Sequence, residues 1–298
     1  MEGHPVLLSS EGTVRIVALG GAGCIHQDSN YQDQVIKAPL KHNTRGCSEK
    51  VIKSVERREE FSELCINREK LIYQALPKYD PNILNCLAIT DRGIHLPYLR
   101  HGDVRSYLQN YSVDAETRDQ WINSAIDAVA TIHIYGVVHS NISPRNFLVA
   151  DDFSIRLCDF AGSRINDLDS LVEEETRYRL PSSPSRTIIT DIFALGSLIY
   201  EVSTGVRPFD EIDDDDEIER MFTEQIFPSL ESLEYRDIIS KCWRSQYSSA
   251  DIIKGDILRR RKHLPEPMQC NYPLIFSTLA MIGMGFAVVW AYMGRKRG

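Results

Sequence analysis

No two of the seven cysteines (Cys24, Cys47, Cys65, Cys86, Cys158, Cys242, Cys270) stand at C-x-x-C spacing. That excludes a zinc ribbon and a disulfide framework, and reduced thiols in a cytosolic setting are expected. Positive charge is in deficit: Lys and Arg number 34 against 42 Asp and Glu, a net charge of −8. Non-specific nucleic-acid binding runs on phosphate neutralisation, so no nucleic-acid partner is expected. Repeats and low-complexity tracts are missing. With 43% hydrophobic and 26% charged residues, the chain is of neither collagen-like, coiled-coil nor wholly disordered composition. The opening Met-Glu-Gly-His has no basic stretch leading into a long apolar one, so a cleaved signal peptide is not expected.

One local absence is of a different kind. Leu274 to Met293 runs for 20 residues without a charge. At about 1.5 Å per residue a helix of this length spans roughly 30 Å, the thickness of a bilayer's hydrocarbon core. Tyr272, Trp290 and Tyr292 sit at its ends, where amphipathic rings prefer the interface, and Arg295, Lys296 and Arg297 follow at once. A span so near the C-terminus resembles the anchors of tail-anchored proteins. It implies post-translational insertion, with the bulk of the chain in the cytosol and the mitochondrial outer membrane or endoplasmic reticulum as the target. Arg259, Arg260, Arg261 and Lys262, just upstream, suit anionic lipid heads or a solvated helix end equally.

The remaining length is enough for one or two domains with a real core. Thr13–Leu19 and Val35–Lys37 read as short strands, as do Asn85–Thr90 and Gly93–Leu99 around an Asp-Arg-Gly turn. Between them, about Ser54 to Leu76 is helical, with Phe61, Leu64, Cys65, Ile72, Ala75 and Leu76 on one face. Helices then dominate, at Thr117–Tyr135 and Asp191–Thr204, each closed by a glycine. The acidic run Asp213–Asp216 reads as a solvated loop. The order is a small strand-rich lobe followed by a larger helical one.

Chemistry concentrates between His139 and Ala161. His139-Ser140-Asn141, Pro144-Arg145-Asn146 and Asp159-Phe160-Ala161 resemble, in order and spacing, the catalytic loop and metal-binding motif of the protein kinase superfamily, of a fungal or tyrosine-kinase-like type. Val35-Ile36-Lys37 resembles the strand bearing the nucleotide-binding lysine. Asp191–Gly196 resembles the helix that anchors the lower lobe, and Cys242-Trp243 a late landmark of tyrosine-kinase-like members. The resemblance implies an α+β, two-lobed protein-kinase-like fold over residues 13–262, divided near residue 98. Flanking it are an N-terminal extension 1–12, a linker 263–273, the transmembrane helix 274–293 and a basic tail 294–298.

It also implies a site for ATP and Mg²⁺. Lys37 would take the α- and β-phosphates. Glu69, three residues before Ile72 and four after Cys65, falls by helical phase on the inward face, where a carboxylate needs a cation such as Lys37. Gly21 and Gly23 resemble the phosphate-covering turn, with His26 at its third glycine position. Pro97 and Leu99 would offer backbone groups to adenine, and Leu148 would floor the base. Asn146 and Asp159 would hold Mg²⁺ through oxygen.

Departures from the family pattern bear on activity. Asn141 stands where the base is an aspartate, and an amide is no proton acceptor of use. Arg145 matches the tyrosine-kinase-like arginine near the transferring phosphate. Ser140 replaces the arginine that reads a phosphorylated activation segment, and Leu180-Pro181-Ser182 stands in place of A-P-E. Two readings follow: a membrane-tethered pseudokinase that binds ATP and a protein partner, or an active kinase working with Asn141 on a protein substrate. A small-molecule phosphotransferase and a nucleotide-free scaffold are the minor alternatives.

Overall fold

The computed structural model of the chain describes residues 4–8, 13–28 and 31–263. Within the extension expected at 1–12, β1 (Val6–Leu7) pairs with β5 (His42–Asn43). The main sheet is antiparallel and comprises β2 (Thr13–Gly20), β3 (Gly23–Asp28), β4 (Gln34–Ala38), β6 (Ala88–Thr90) and β7 (Gly93–Pro97). Its order is β2-β3-β4-β7-β6. Tight glycine-bearing hairpins join β2 to β3 and β6 to β7. The connection from β5 to β6 carries α1 (Glu49–Ala75), which packs on β3 and β7. Asn85–Leu87 precede β6 rather than join it, because the chain there runs past the helical half: Ile83 bridges Leu157, and Leu84 N–H donates to Leu157 O.

α1 begins at Glu49, ahead of the predicted start near Ser54, because its first turns are solvated and leave little hydrophobic signal. Ser48 takes the extended conformation of an N-cap, and Glu49 complements the positive end of the helix dipole. The inward face also differs from expectation. Phe61, Leu64 and Ala75 are exposed, whereas Val55, Ser62, Cys65, Ile66, Arg68, Glu69 and Ile72 are buried. The true stripe includes two charged residues and a serine, which a hydrophobic pattern cannot register.

The second half is helical. It contains α2 (Val104–Asn110), α3 (Ala115–Ile134), α4 (Ile188–Thr204), α5 (Asp215–Thr223), α6 (Arg236–Trp243) and α7 (Ala250–His263). Two short hairpin-like pairings sit among them: β8 (Val137–Val138) with β11 (Arg164–Ile165), and β9 (Phe147–Val149) with β10 (Ile155–Leu157). α4 is buried nearly all round and lies at the centre of the larger core, with Trp121, Phe147, Phe160 and Phe193 fully buried there. Each such side chain contributes ~1.5–3 kcal/mol of transfer free energy. The acidic run is not a loop throughout. Asp214 caps α5 by accepting from the N–H groups of Asp216 and Glu217, and Asp215 to Glu217 form the first turn, where negative charge suits the dipole.

The chain thus adopts an α+β fold with a sheet-based lobe and a larger helical lobe. The linker from 264 onward, the span Leu274–Met293 and the tail 294–298 lie outside the described residues. Among the described residues, no helix is long and apolar enough to cross a membrane.

Candidate functional site

Strand alternation sets the first functional side chain. Val35 and Lys37 share one face of β4, and Ile25 pairs with Lys37 across β3, so these three face the same way. β7 passes so close on the other side that a Cβ on Gly93 would lie 2.3 Å from Lys37 O, and Gly93 has φ +141°. Only glycine fits there. Lys37 is buried, and its Nζ lies 2.6 Å from Glu69 Oε2 and 2.5 Å from Asp159 Oδ1. Burial alone would lower the lysine pKa, but the two carboxylates hold it above its ordinary value. The same contact holds the Asp159 carboxyl below the usual range against the opposing effect of burial. Burial pushes the Glu69 carboxyl up, with Lys37 pulling the other way.

Asp159 takes φ 64°, a left-handed conformation uncommon for a side chain of this kind. That twist turns its carboxylate to Lys37 while the next residue turns inward. Phe160 is fully buried, its N–H donates to Glu69 Oε1 at 3.3 Å, and its ring meets Tyr73 edge-on at 5.3 Å and His139 at 5.4 Å. His139 N–H and Ser140 N–H in turn donate to the two oxygens of buried Asp191, at 2.7 and 2.9 Å. A continuous column therefore runs from α1 through Phe160 and His139 to α4.

Asn146 Nδ2 donates to Asn141 O at 2.7 Å, and Cys158 N–H donates to Asn146 O at 2.9 Å. The loop that carries Asn141 is thus tied to the residue directly before Asp159. The Asn146 amide oxygen and the Asp159 carboxylate, whose side chain is 42% exposed, make a hard-oxygen set that fits Mg²⁺. Beside them an apolar cluster of Val17, Ile25, Val35, Leu96, Leu99, Leu148 and Cys158 has the chemistry a flat base requires. Pro97 ends β7 opposite Gln34, and Leu99 N–H has no backbone acceptor among the described residues.

The structure thus brings Lys37, Glu69 and Asp159 into contact, and ties Asn141 and Asn146 to the same loop. Leu99 and Leu148 share the apolar cluster. The glycine turn forms the tip of the β2–β3 hairpin. The hairpin tip is Gly20–Gly23, with Gly21 exposed, and a Cβ on Gly23 would lie 2.8 Å from Ala38 O and 3.1 Å from Ile66. His26 is not on the turn at all. It sits inside β3 opposite Ile36, on the sheet face away from Lys37, and is almost fully buried. Arg145 is largely exposed and lies 3.6 Å from Glu175 Oε1.

Several residues escaped the sequence reading. Val35 was legible, two positions before Lys37 on a strand, and so was Tyr73, one helical turn beyond Glu69. Arg68 was not: its Nη1 donates to the carbonyls of Ser163 and Asp169, both at 2.7 Å, far along the chain.

The curated relatives include Dual specificity protein kinase Ttk of Danio rerio, 26% identical over 200 residues, 57% of this chain and 20% of that protein. The Fibroblast growth factor receptor of Strongylocentrotus purpuratus is 25% identical over 232 residues, 66% of this chain and 23% of that protein. Serine/threonine-protein kinase 1 of Heliothis zea nuclear polyhedrosis virus is 28% identical over 127 residues, 41% of this chain and 47% of that protein. The chain thus spans less than half the length of each of these relatives. A family profile described as protein kinase domain matches residues 32–254, which takes in the lysine strand, α1, the catalytic loop and α4. On that match over most of its length, the chain belongs to the protein kinase family.

Proposed function

We propose that this domain binds Mg·ATP between its lobes and transfers the γ-phosphate slowly or not at all, acting through a nucleotide-stabilised surface for a protein partner. The observation that carries the reading is the contrast within one site. Lys37, Glu69 and Asp159 form a charged junction of the kind a triphosphate needs. Asn141, at the position of the base, offers only an amide. The chemistry that bound Mg²⁺ would supply is positive charge against the phosphates. Asn146 and Asp159 would hold the ion, Lys37 would turn from Asp159 toward phosphate, and Leu99 would present its backbone to the base. An active protein kinase is the second reading, favoured by the intact Lys37–Glu69 pair.

Thermal denaturation with Mg·ATP tests nucleotide binding. Ligand at 100 times its dissociation constant stabilises the folded state by ~2.7 kcal/mol. The expected result is a rise in Tm for the wild type and none for Lys37→Met. A wild-type Tm that stays constant up to millimolar Mg·ATP would leave only the nucleotide-free scaffold.

The uncharged run Leu274–Met293 and its basic flank support a further part of the proposal: tethering to a membrane, the mitochondrial outer membrane or endoplasmic reticulum, with the kinase-family domain in the cytosol. The full chain is expected to stay in the membrane pellet after alkaline carbonate extraction, and a chain lacking residues 274–293 to leave it. Release of the full chain into the supernatant would refute the anchor.

A further inference from the structure

The segment between Gly162 and Pro181 has no arginine at position 140 to receive a phosphate, yet it is closely held. Three of its four hydroxyl-bearing residues are buried or engaged, and the fourth, Thr176, is half-buried. Ser163 is buried and its Oγ donates to His139 O, Tyr178 is fully buried, and Ser170 Oγ donates to Val172 O at 2.6 Å. The positive charges around the segment are instead met from within. Glu173 Oε2 lies 3.1 Å from Arg179 and 3.4 Å from Arg186. Glu175 receives both its hydrogen bonds from Arg105 Nη1, at 3.1 and 3.0 Å, and lies 3.6 Å from Arg145 of the catalytic loop. Arg105 and Arg186 are buried, while the side chains of Glu173 and Glu175 are 62% and 33% exposed, so water screens the contacts of Glu173 more than those of Glu175.

We propose that Glu173 and Glu175 are built-in counter-anions that keep the segment from Gly162 to Pro181 folded without phosphorylation. Each bridges the segment to an arginine outside it: Arg186 for Glu173, Arg105 and Arg145 for Glu175. Arg179 extends the network to α5 through Glu219 at 2.9 Å. Arg68 closes the segment's first part by capping the carbonyls of Ser163 and Asp169. Glu174, between the two, points inward to Arg186 Nε at 2.9 Å. Burial pushes its carboxyl up to about 7, with Arg186 pulling the other way. The arrangement concerns how the segment stays ordered and stands independently of nucleotide binding.

Hydrogen–deuterium exchange on the full-length chain, phosphatase-treated and free of nucleotide, reads this directly. Peptides spanning 162–181 are expected to be protected in the wild type. In Glu173→Gln/Glu175→Gln they should exchange at least tenfold faster, with peptides from α3 and α4 unchanged. Arg145→Gln, at a largely exposed side chain that does not threaten the fold, should give a smaller increase of the same sign. The proposal is overturned if phosphatase treatment alone removes the protection, or if the double variant stays as protected as the wild type.

Discussion

Asn141→Asp is expected to raise phosphoryl transfer by ~10²–10⁴-fold, the usual worth of a positioned general base. The substitution is close to isosteric, and the loop does not depend on the side chain it changes. Asn146 is held by the backbone carbonyl of Asn141, so the oxygen ligands for metal stay where they are. Transfer of radiolabel from γ-labelled ATP in the wild type, Asn141→Asp, Asp159→Ala and the double variant measures the effect. A gain in Asn141→Asp that Asp159→Ala removes identifies the base as the missing part. Strong wild-type transfer that Asp159→Ala abolishes would overturn slow transfer and establish the active kinase. Transfer by neither would place the deficit outside position 141.

Arg105→Met is expected to cost ~3–5 kcal/mol of folding free energy, the penalty for breaking a buried ion pair from one side. Arg105 Nε donates to Glu201 Oε1 at 2.8 Å, and its Nη2 donates to Tyr178 OH at 2.9 Å. Tyr178 OH also donates to Glu201 Oε2. Glu201 is almost wholly buried, so without the guanidinium its charge has neither water nor a cation. Replacing both partners removes the orphan, so Arg105→Met/Glu201→Met should recover most of the loss. Chemical denaturation checks both variants. A loss below ~1 kcal/mol for the single variant would show that water reaches Glu201.

Much of this molecule was written locally, and what was missed was not. The Lys37–Glu69 pair followed from helical phase, because a carboxylate between Cys65 and Ile72 must face inward. The same reasoning failed for Phe61 and Leu64, since the buried stripe of α1 is shared with Arg68, whose carbonyl partners lie about a hundred residues away. His26 was misplaced because glycines alone do not set a hairpin's register; the pairing of Ile25 with Lys37 does. The cluster joins Arg105 to Glu175, Tyr178 and Glu201, 70 to 96 residues further on and beyond the reach of any period. The segment before Pro181 lies between departures from the family pattern at Ser140 and at Ser182. Its own glutamates supply the order.

The stack of Tyr73, Phe160 and His139, with the His139 N–H on Asp191, joins α1 to α4 through side chains far apart in sequence. On the outer side of α1, Phe61, Leu64 and Leu71 face solvent. Asp159 sits one residue from a chain of contacts whose two ends lie in α1 and α4.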